Sequence, residues 1–261
     1  MSASHVTALI SLRQKLRCFK EWTMMQVHPW GRNSLRLLTE LKDAYAGERC
    51  FILGNGPSLR NTDLLRLKKE FTFGLNRIYL LFPEMGFHTT FLLAINHLVL
   101  RQCAQEILDQ PMPKFITWSA RSYLPGRPPS NTAFFDFVCA KPGFSRDLRK
   151  PIWHGATVTY AALQLAYHMG FSRVVLIGVD HNFATKGPAG QAVISQGDDP
   201  NHFSPSYFGK GFRWELPDLE TSEMAYQMAL EAYQQAGRQV LDATIGGKLN
   251  IFPKVDYRSL F

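Results

Sequence analysis

From residue 50 onward, short apolar runs alternate with segments of helical periodicity. Cys50–Leu53, Phe71–Leu75, Thr89–Ile95, Lys114–Trp118 and Gln239–Asp242 read as strands, with a further one at Ala133–Val138. The clearest is Arg173–Gly178, where Val174, Val175, Leu176 and Ile177 run without a break. A continuous apolar run is the pattern of a parallel strand covered on both faces. Helices fall at Asp63–Lys69, Leu98–Leu108, Thr157–Met169 and Glu220–Ala236, and Gly170 stops the third. Residues 121–152, rich in Pro, Gly and aromatics, read as irregular. The alternation predicts an α/β fold of three layers around a mostly parallel sheet.

Two segments stand apart from that rhythm. Residues 181–218 form a long loop-rich insert, of a length usually found in lids and binding elements. Ahead of the first strand, Leu9, Ile10, Leu12, Leu16 and Phe19 form an apolar face interleaved with Arg13, Lys15, Arg17 and Lys20. Such a helix could lie on an anionic membrane or pack on its own domain. Asn33 is placed to cap a second helix, Ser34–Tyr45, ending near Gly47. The expected organisation is a helical extension over 1–46 and an α/β catalytic domain over 47–261, with its lid at about 181–218.

Charge refines this picture. Formal net charge is +8, and residues 1–150 carry 21 basic and 11 acidic groups while residues 151–261 carry 8 and 10. A basic front half suits an anionic small molecule, a nucleic acid or a membrane surface. No nucleic-acid-binding module is present in the pattern, so no nucleic-acid partner is expected. No run approaches the length of a membrane span. Cys18, Cys50, Cys103 and Cys139 are widely spaced with no CxxC, the usage of reduced thiols in a cytoplasmic protein.

Four constellations could carry chemistry. Gly54-Asn55-Gly56-Pro57-Ser58 follows a strand, where glycines let a backbone approach a ligand and turn amides can hold phosphate. It is neither a dinucleotide fingerprint nor a P-loop, and a plain tight turn remains open. Asn76, Asn96 and Asp180 each end a predicted strand, beside Asn55, and ligands of open α/β sheets bind at that edge, although a strand-end Asn is often only a turn residue. Gly155-Ala156-Thr157 starts a helix, where small residues would admit phosphate to the helix amides, or Thr157 is simply the N-cap. In the insert, His202 could act as a general base on a polar lid. Asp198, Asp199 and His202 could instead be metal ligands, although the spacing fits no strong metal motif. His97 and His181 could line the same crevice.

Gly54-Asn55-Gly56-Pro57-Ser58-Leu59, the unit His154–Asp180 ending in Gly178-Val179-Asp180, and Asn201-His202-Phe203 resemble the MptE-like family. That family is named for an archaeal 6-hydroxymethylpterin diphosphokinase and includes bacterial proteins associated with surface glycans. The same landmarks resemble the Campylobacter-type bacterial sialyltransferases, which share a Rossmann-like fold. The resemblance spans roughly 47–245. It implies a glycosyltransferase that moves a sugar, such as a nonulosonate, from a CMP-linked donor to a glycan or glycolipid acceptor. It implies that Gly54, Asn55, Gly56, Ser58, Asn76, Asn96, Gly155, Ala156, Thr157, Asp180 and Tyr207 hold donor or substrate, with His202 as the base. Basic groups of the front half would offset the donor's phosphate and carboxylate. Those sialyltransferases have a tyrosine just after the Asp, where this chain has His181-Asn182-Phe183, leaving Tyr207 or Lys210 to help the phosphate leave. No metal or cofactor is implied by this reading. The alternative diphosphokinase would use ATP and Mg²⁺, with Asp180, Asp198 and Asp199 as candidate carboxylates. A non-catalytic nucleotide-sugar binding module is the third reading. A homo-oligomer and peripheral membrane contact through residues 5–20 are both compatible with the chain. The expected location is the cytoplasm, at the inner membrane face if that contact forms.

Overall fold

A computed structural model describes residues 12–135 and 141–261. Seven parallel strands form one sheet: β1 (Arg49–Leu53), β2 (Phe71–Leu75), β3 (Phe91–Ala94), β4 (Lys114–Thr117), β5 (Thr132–Phe135), β6 (Arg173–Ile177) and, after a small hairpin, β9 (Gln239–Asp242). The hairpin pairs β7 (Ala192–Ile194) with β8 (Arg213–Glu215), antiparallel, inside the insert. The sheet order is β5-β4-β3-β2-β1-β6-β9. The chain therefore builds outward from β1 in one direction and then returns to its other side. That reversal makes the gap between the ends of β1 and β6 the topological switch point, where such sheets bind ligands.

Burial on both faces explains the strand composition. Phe51, Leu53, Val175 and Ile177 belong to one buried cluster, while Cys50, Ile52, Val174 and Leu176 belong to the other. The first face is covered by α4 (His97–Leu108) through Val99, Leu100, Cys103 and Ile107, and by Phe203, Tyr207 and Trp214 of the insert. The second is covered by α5 (Val158–His168) and α6 (Leu219–Gln235) through Ala161, Leu165, Ala225, Ala229 and Tyr233. This is the expected three-layer, Rossmann-like sandwich.

Local chemistry shifts several predicted elements. The helix expected over Asp63–Lys69 is a 3₁₀ segment, Leu64–Lys69, preceded by another at Pro57–Asn61. Bonds such as Thr62 N–H to Leu59 O (3.1 Å) and Glu70 N–H to Leu67 O (2.9 Å) span three residues, and the segment is too short to establish an α-helix. Near the start of the chain, α1 (Leu12–Val27) gives way to α2 (Pro29–Leu41), and the very short α3 (Phe82–Met85) follows β2. The cap of α2 is His28, whose Nδ1 accepts from Trp30 N–H at 3.2 Å, not Asn33. Pro29 at the first helical position sets that start. Asn33 instead donates to the carbonyls of Ser130 (3.0 Å) and Thr132 (3.4 Å), and Ser34 Oγ accepts from Phe134 N–H (2.8 Å). Thus α2 satisfies and covers the open edge of β5, which would otherwise invite strand pairing.

Cys50 and Cys103 are free and buried. Cys18 is disulfide-bonded, which corrects the expectation of four reduced thiols. Residues 5–11 and 136–138, assigned above to a helix and a strand end, lie outside the described residues. Among the described residues no helix is long and apolar enough to cross a membrane.

Candidate functional site

A cleft of about 860 Å³ opens over the carboxyl ends of the strands. Its walls include Gly54, Asn55, Gly56, Asn76, Asn96, Ala156, Thr157, Asp180, His202 and Tyr207. Ser58 and Gly155 stand just behind the wall and are buried. The structure therefore gathers the residues singled out in the sequence around one opening. Lys210 is exposed and is not among the lining residues.

The glycines meet a demand from within the fold. Gly54 N–H donates to Ile177 O at 2.8 Å and Gly56 N–H to Gly178 O at 2.9 Å. A Cβ on Gly54 would lie 2.2 Å from Gly178 O, and one on Gly56 only 1.8 Å from Asp180 Oδ2. The loop after β1 is thus pressed against the loop after β6, and those amides are spent on protein carbonyls. Ser58 completes the clasp, donating its N–H to Asp180 Oδ1 (3.1 Å) and its hydroxyl to Oδ2 (2.7 Å). Burial raises the Asp180 pKa above its ordinary value, and the Ser58 bonds oppose part of that rise.

The helix start is also largely committed. His154 takes the Ala156 amide on its Nδ1 (3.1 Å) and the Thr157 amide on its carbonyl (3.1 Å). Thr157 is the N-cap of α5, accepting from Thr159 N–H at 3.3 Å. Gly155, at φ +56°, fits where a Cβ would meet Ala225 at 2.3 Å. Asn96 likewise caps α4, its Oδ1 accepting from Leu98 (2.9 Å) and Val99 (3.1 Å) amides.

Two side chains have capacity left. Asn55 Oδ1 and Asn76 Oδ1 are buried in the cleft wall with no hydrogen-bond partner. Buried orphan acceptors are costly, and these suit N–H or O–H donors of a ligand. Backbone strain marks the same place. Of the four non-glycine residues with positive φ among the described residues, Asn76, Ala156 and His181 (48°, 56° and 53°) line the cleft, while Asp43 (56°) does not. Strain of about 1–3 kcal/mol per such residue is tolerated mainly at functional sites.

The lid is folded down over this edge. Phe203 N–H donates to Asn55 O (2.8 Å), Arg60 holds the Phe203 carbonyl, and Arg77 holds the Tyr207 carbonyl. His202 Nδ1 lies 2.7 Å from Asp199 Oδ2. The same buried carboxylate accepts from the amides of Asn201 (2.8 Å) and Phe208 (3.0 Å). Burial would raise the Asp199 pKa, but the His202 contact and the two amides outweigh it and hold it below the ordinary carboxylate value. The His202 ring stacks on Tyr207 at 4.0 Å between centroids. Tyr207 is therefore a platform. Its hydroxyl accepts from Arg77 N–H (3.4 Å) and contacts Asn76, and burial pushes its pKa well up.

A carboxylate that fixes one imidazole nitrogen fixes the tautomer and presents the other nitrogen as a base. Sequence reasoning had Asp199 only as a metal candidate. The i, i+3 spacing of Asp199 and His202 was its one visible signal. A second pair was missed: His181 Nε2 lies 2.8 Å from Glu223 Oε1 on α6. His97, which also lines the cleft, is held by Ser119 at 2.9 Å.

One expectation needs correction here. Of the front-half basic residues, Arg17 alone lines the cleft, which also holds Asp180, Glu215 and Asp218. Other front-half cations are spent in pairs such as Arg49–Glu70 (2.6 Å) and Arg121–Glu21 (2.9 Å). Among the described residues, no group of three His, Cys, Asp or Glu side chains could hold a metal. Asp180 is clasped by Ser58 and Asp199 by His202, while Asp198 is exposed.

Comparison with known proteins adds lineage to this geometry. Among solved structures, the chain is similar to "MAf glycosyltransferase from Magnetospirillum magneticum AMB-1", with TM-score 0.51 and 15% sequence identity. The match covers 88% of this chain and 39% of that one, so it shows a shared fold over part of a longer protein. No curated protein matches. The family model described as "6-hydroxymethylpterin diphosphokinase MptE-like" matches residues 28–186, from α2 through the loop after β6 but not the His202 lid. That match covers most of the sheet and both clasped loops, and the chain belongs to the MptE-like family.

Proposed function

We propose that this protein is a glycosyltransferase that moves a sugar, a nonulosonate in the most specific form of the reading, from a CMP-linked donor to a surface-glycan acceptor. The observation that carries this is the Asp199–His202 pair on a lid closed over the switch-point cleft. The fold shared with a glycosyltransferase supports it.

In this reading Asn55 and Asn76 accept from donor N–H and O–H groups through their unpartnered oxygens. His202 takes the proton of the acceptor hydroxyl as its oxygen bonds to the anomeric carbon. The bond from that carbon to the phosphate oxygen breaks, and CMP leaves with the electron pair. General-base help of this kind contributes about 10²–10⁴ in rate. With few arginines and lysines in the cleft, His181, anchored on Glu223, takes the place of the sialyltransferase tyrosine beside the leaving phosphate. A single-phosphate leaving group needs no metal when dipoles and an imidazole face it.

The test is transfer from a CMP-linked nonulosonate to glycan acceptors, followed as CMP release and product. His202→Ala is expected to lose about 10²–10⁴ in kcat. Near-full transfer by that variant would remove His202 from the chemistry. The family description favours a second reading, an ATP-dependent pterin diphosphokinase. Formation of AMP from ATP, Mg²⁺ and a hydroxymethyl pterin would favour it.

A further inference from the structure

Helix α1 is amphipathic in an unusual sense. Its inward side is seated by Met25, which is buried in the main core. Its outward side carries Leu16, Phe19 and Val27, which are 60%, 67% and 59% exposed, and partly exposed Met24. Half of the exposed large apolar side chains among the described residues lie on this one helix.

The charge on the helix is equally one-sided. Its sequence holds Arg13, Lys15, Arg17 and Lys20 against one carboxylate, Glu21. Glu21 is turned inward, paired with Arg121 at 2.9 Å and largely buried. Arg17 and Lys20 remain exposed among the apolar side chains. An apolar strip bearing only positive charge is complementary to an anionic bilayer surface, where aliphatic and aromatic groups sink below the headgroups and cations meet phosphate. Arg17 also lines the cleft, so the same helix borders the opening of the site.

We propose that the outward face of α1 docks on an anionic lipid bilayer and holds the cleft at the membrane surface. If the transferase reading above holds, the acceptor is then a membrane-anchored glycolipid, which the cleft meets without leaving the surface.

The test is flotation of the whole chain with phosphatidylcholine vesicles, with and without phosphatidylglycerol. Binding is expected with the anionic vesicles only, and to weaken with salt. Lys20→Ala is expected to lower vesicle affinity about fivefold, and Phe19→Ser about tenfold. Both side chains are exposed, so the melting temperature is expected to stay unchanged. Two results would overturn the proposal. One is absence of binding by the intact chain. The other is a concentration-dependent dimer that Phe19→Ser dissolves, which would assign the face to a second copy. Flotation needs no turnover, so it fails or succeeds independently of the transfer reaction.

Discussion

The pairing of Asp199 with His202 can be tested by Asp199→Asn. The carboxylate accepts three hydrogen bonds: Asn201 N–H on Oδ1, and His202 Nδ1 and Phe208 N–H on Oδ2. An amide has one acceptor oxygen where this site uses two. Whichever way it turns, one buried backbone N–H is left facing a donor. That orphan costs about 1–3 kcal/mol, or a fall of about 2–12 °C in melting temperature for a chain of this size. The loss should also follow pH. Asp199 is held below the ordinary carboxylate value in the fold, so its stabilisation is present above about pH 4 and fades as pH falls through the folded value. The stability gap between native protein and variant should therefore close in acid. For catalysis, the discriminating assay is a double-mutant cycle on kcat. In the proposed reaction Asp199 acts through His202, so Asp199→Asn should slow transfer by the native protein but not by the His202→Ala variant. If it slowed both by the same factor, Asp199 would have a role of its own and the pairing would be wrong.

Other consequences are checked more simply. Gly56→Ala would drive a Cβ to 1.8 Å from Asp180 Oδ2. A loss of about 1–3 kcal/mol in urea unfolding is expected, and an unchanged midpoint would contradict the clasp between the two loops. His168 is buried, with Nε2 2.7 Å from Leu38 O, and burial lowers its pKa. The unfolded chain binds that proton more readily, so stability should drop as pH falls below about 6.5. His168→Gln should reduce that part of the slope in a pH series of melts. Arg149 holds Asp147 at about 2, mainly through its side-chain hydrogen bonds. This stabilisation is present above the ordinary carboxylate range and lost as pH falls toward 2, so Arg149→Ala should raise the pH of acid unfolding. No shift in that titration would show the pair to be energetically idle.

Much of this was legible in the residues, and the gaps have physical causes. The strands were visible because apolar runs such as Val174–Ile177 are demanded by burial on both faces. Helices α5 and α6 were found within one or two residues, since Thr157 and Asp218 cap them through local hydrogen bonds. The 3₁₀ segments after β1 escaped because short helical patterns do not reveal their hydrogen-bond spacing. The hairpin β7–β8 hid in an insert whose order comes from long-range packing of Trp214 and Phe208. In the site, Asn55, Asn76, Asp180 and His202 could be read from strand ends and lid composition. The reason for Gly54 and Gly56 could not, because their steric demand comes from Asp180 and Gly178, more than a hundred residues away. The strain at Ala156 and His181 is likewise set by tertiary context.

The identity of the nucleotide that enters the cleft tests the central claim most directly. Thermal melts of the intact chain with CMP and without Mg²⁺ are expected to show stabilisation. At a hundredfold excess over Kd this amounts to about 2.7 kcal/mol, or roughly 5–10 °C. Substituting Asn55 or Asn76 by Ala should reduce the shift. Stabilisation by ATP with Mg²⁺ alone, with CMP inert, would contradict the transferase assignment.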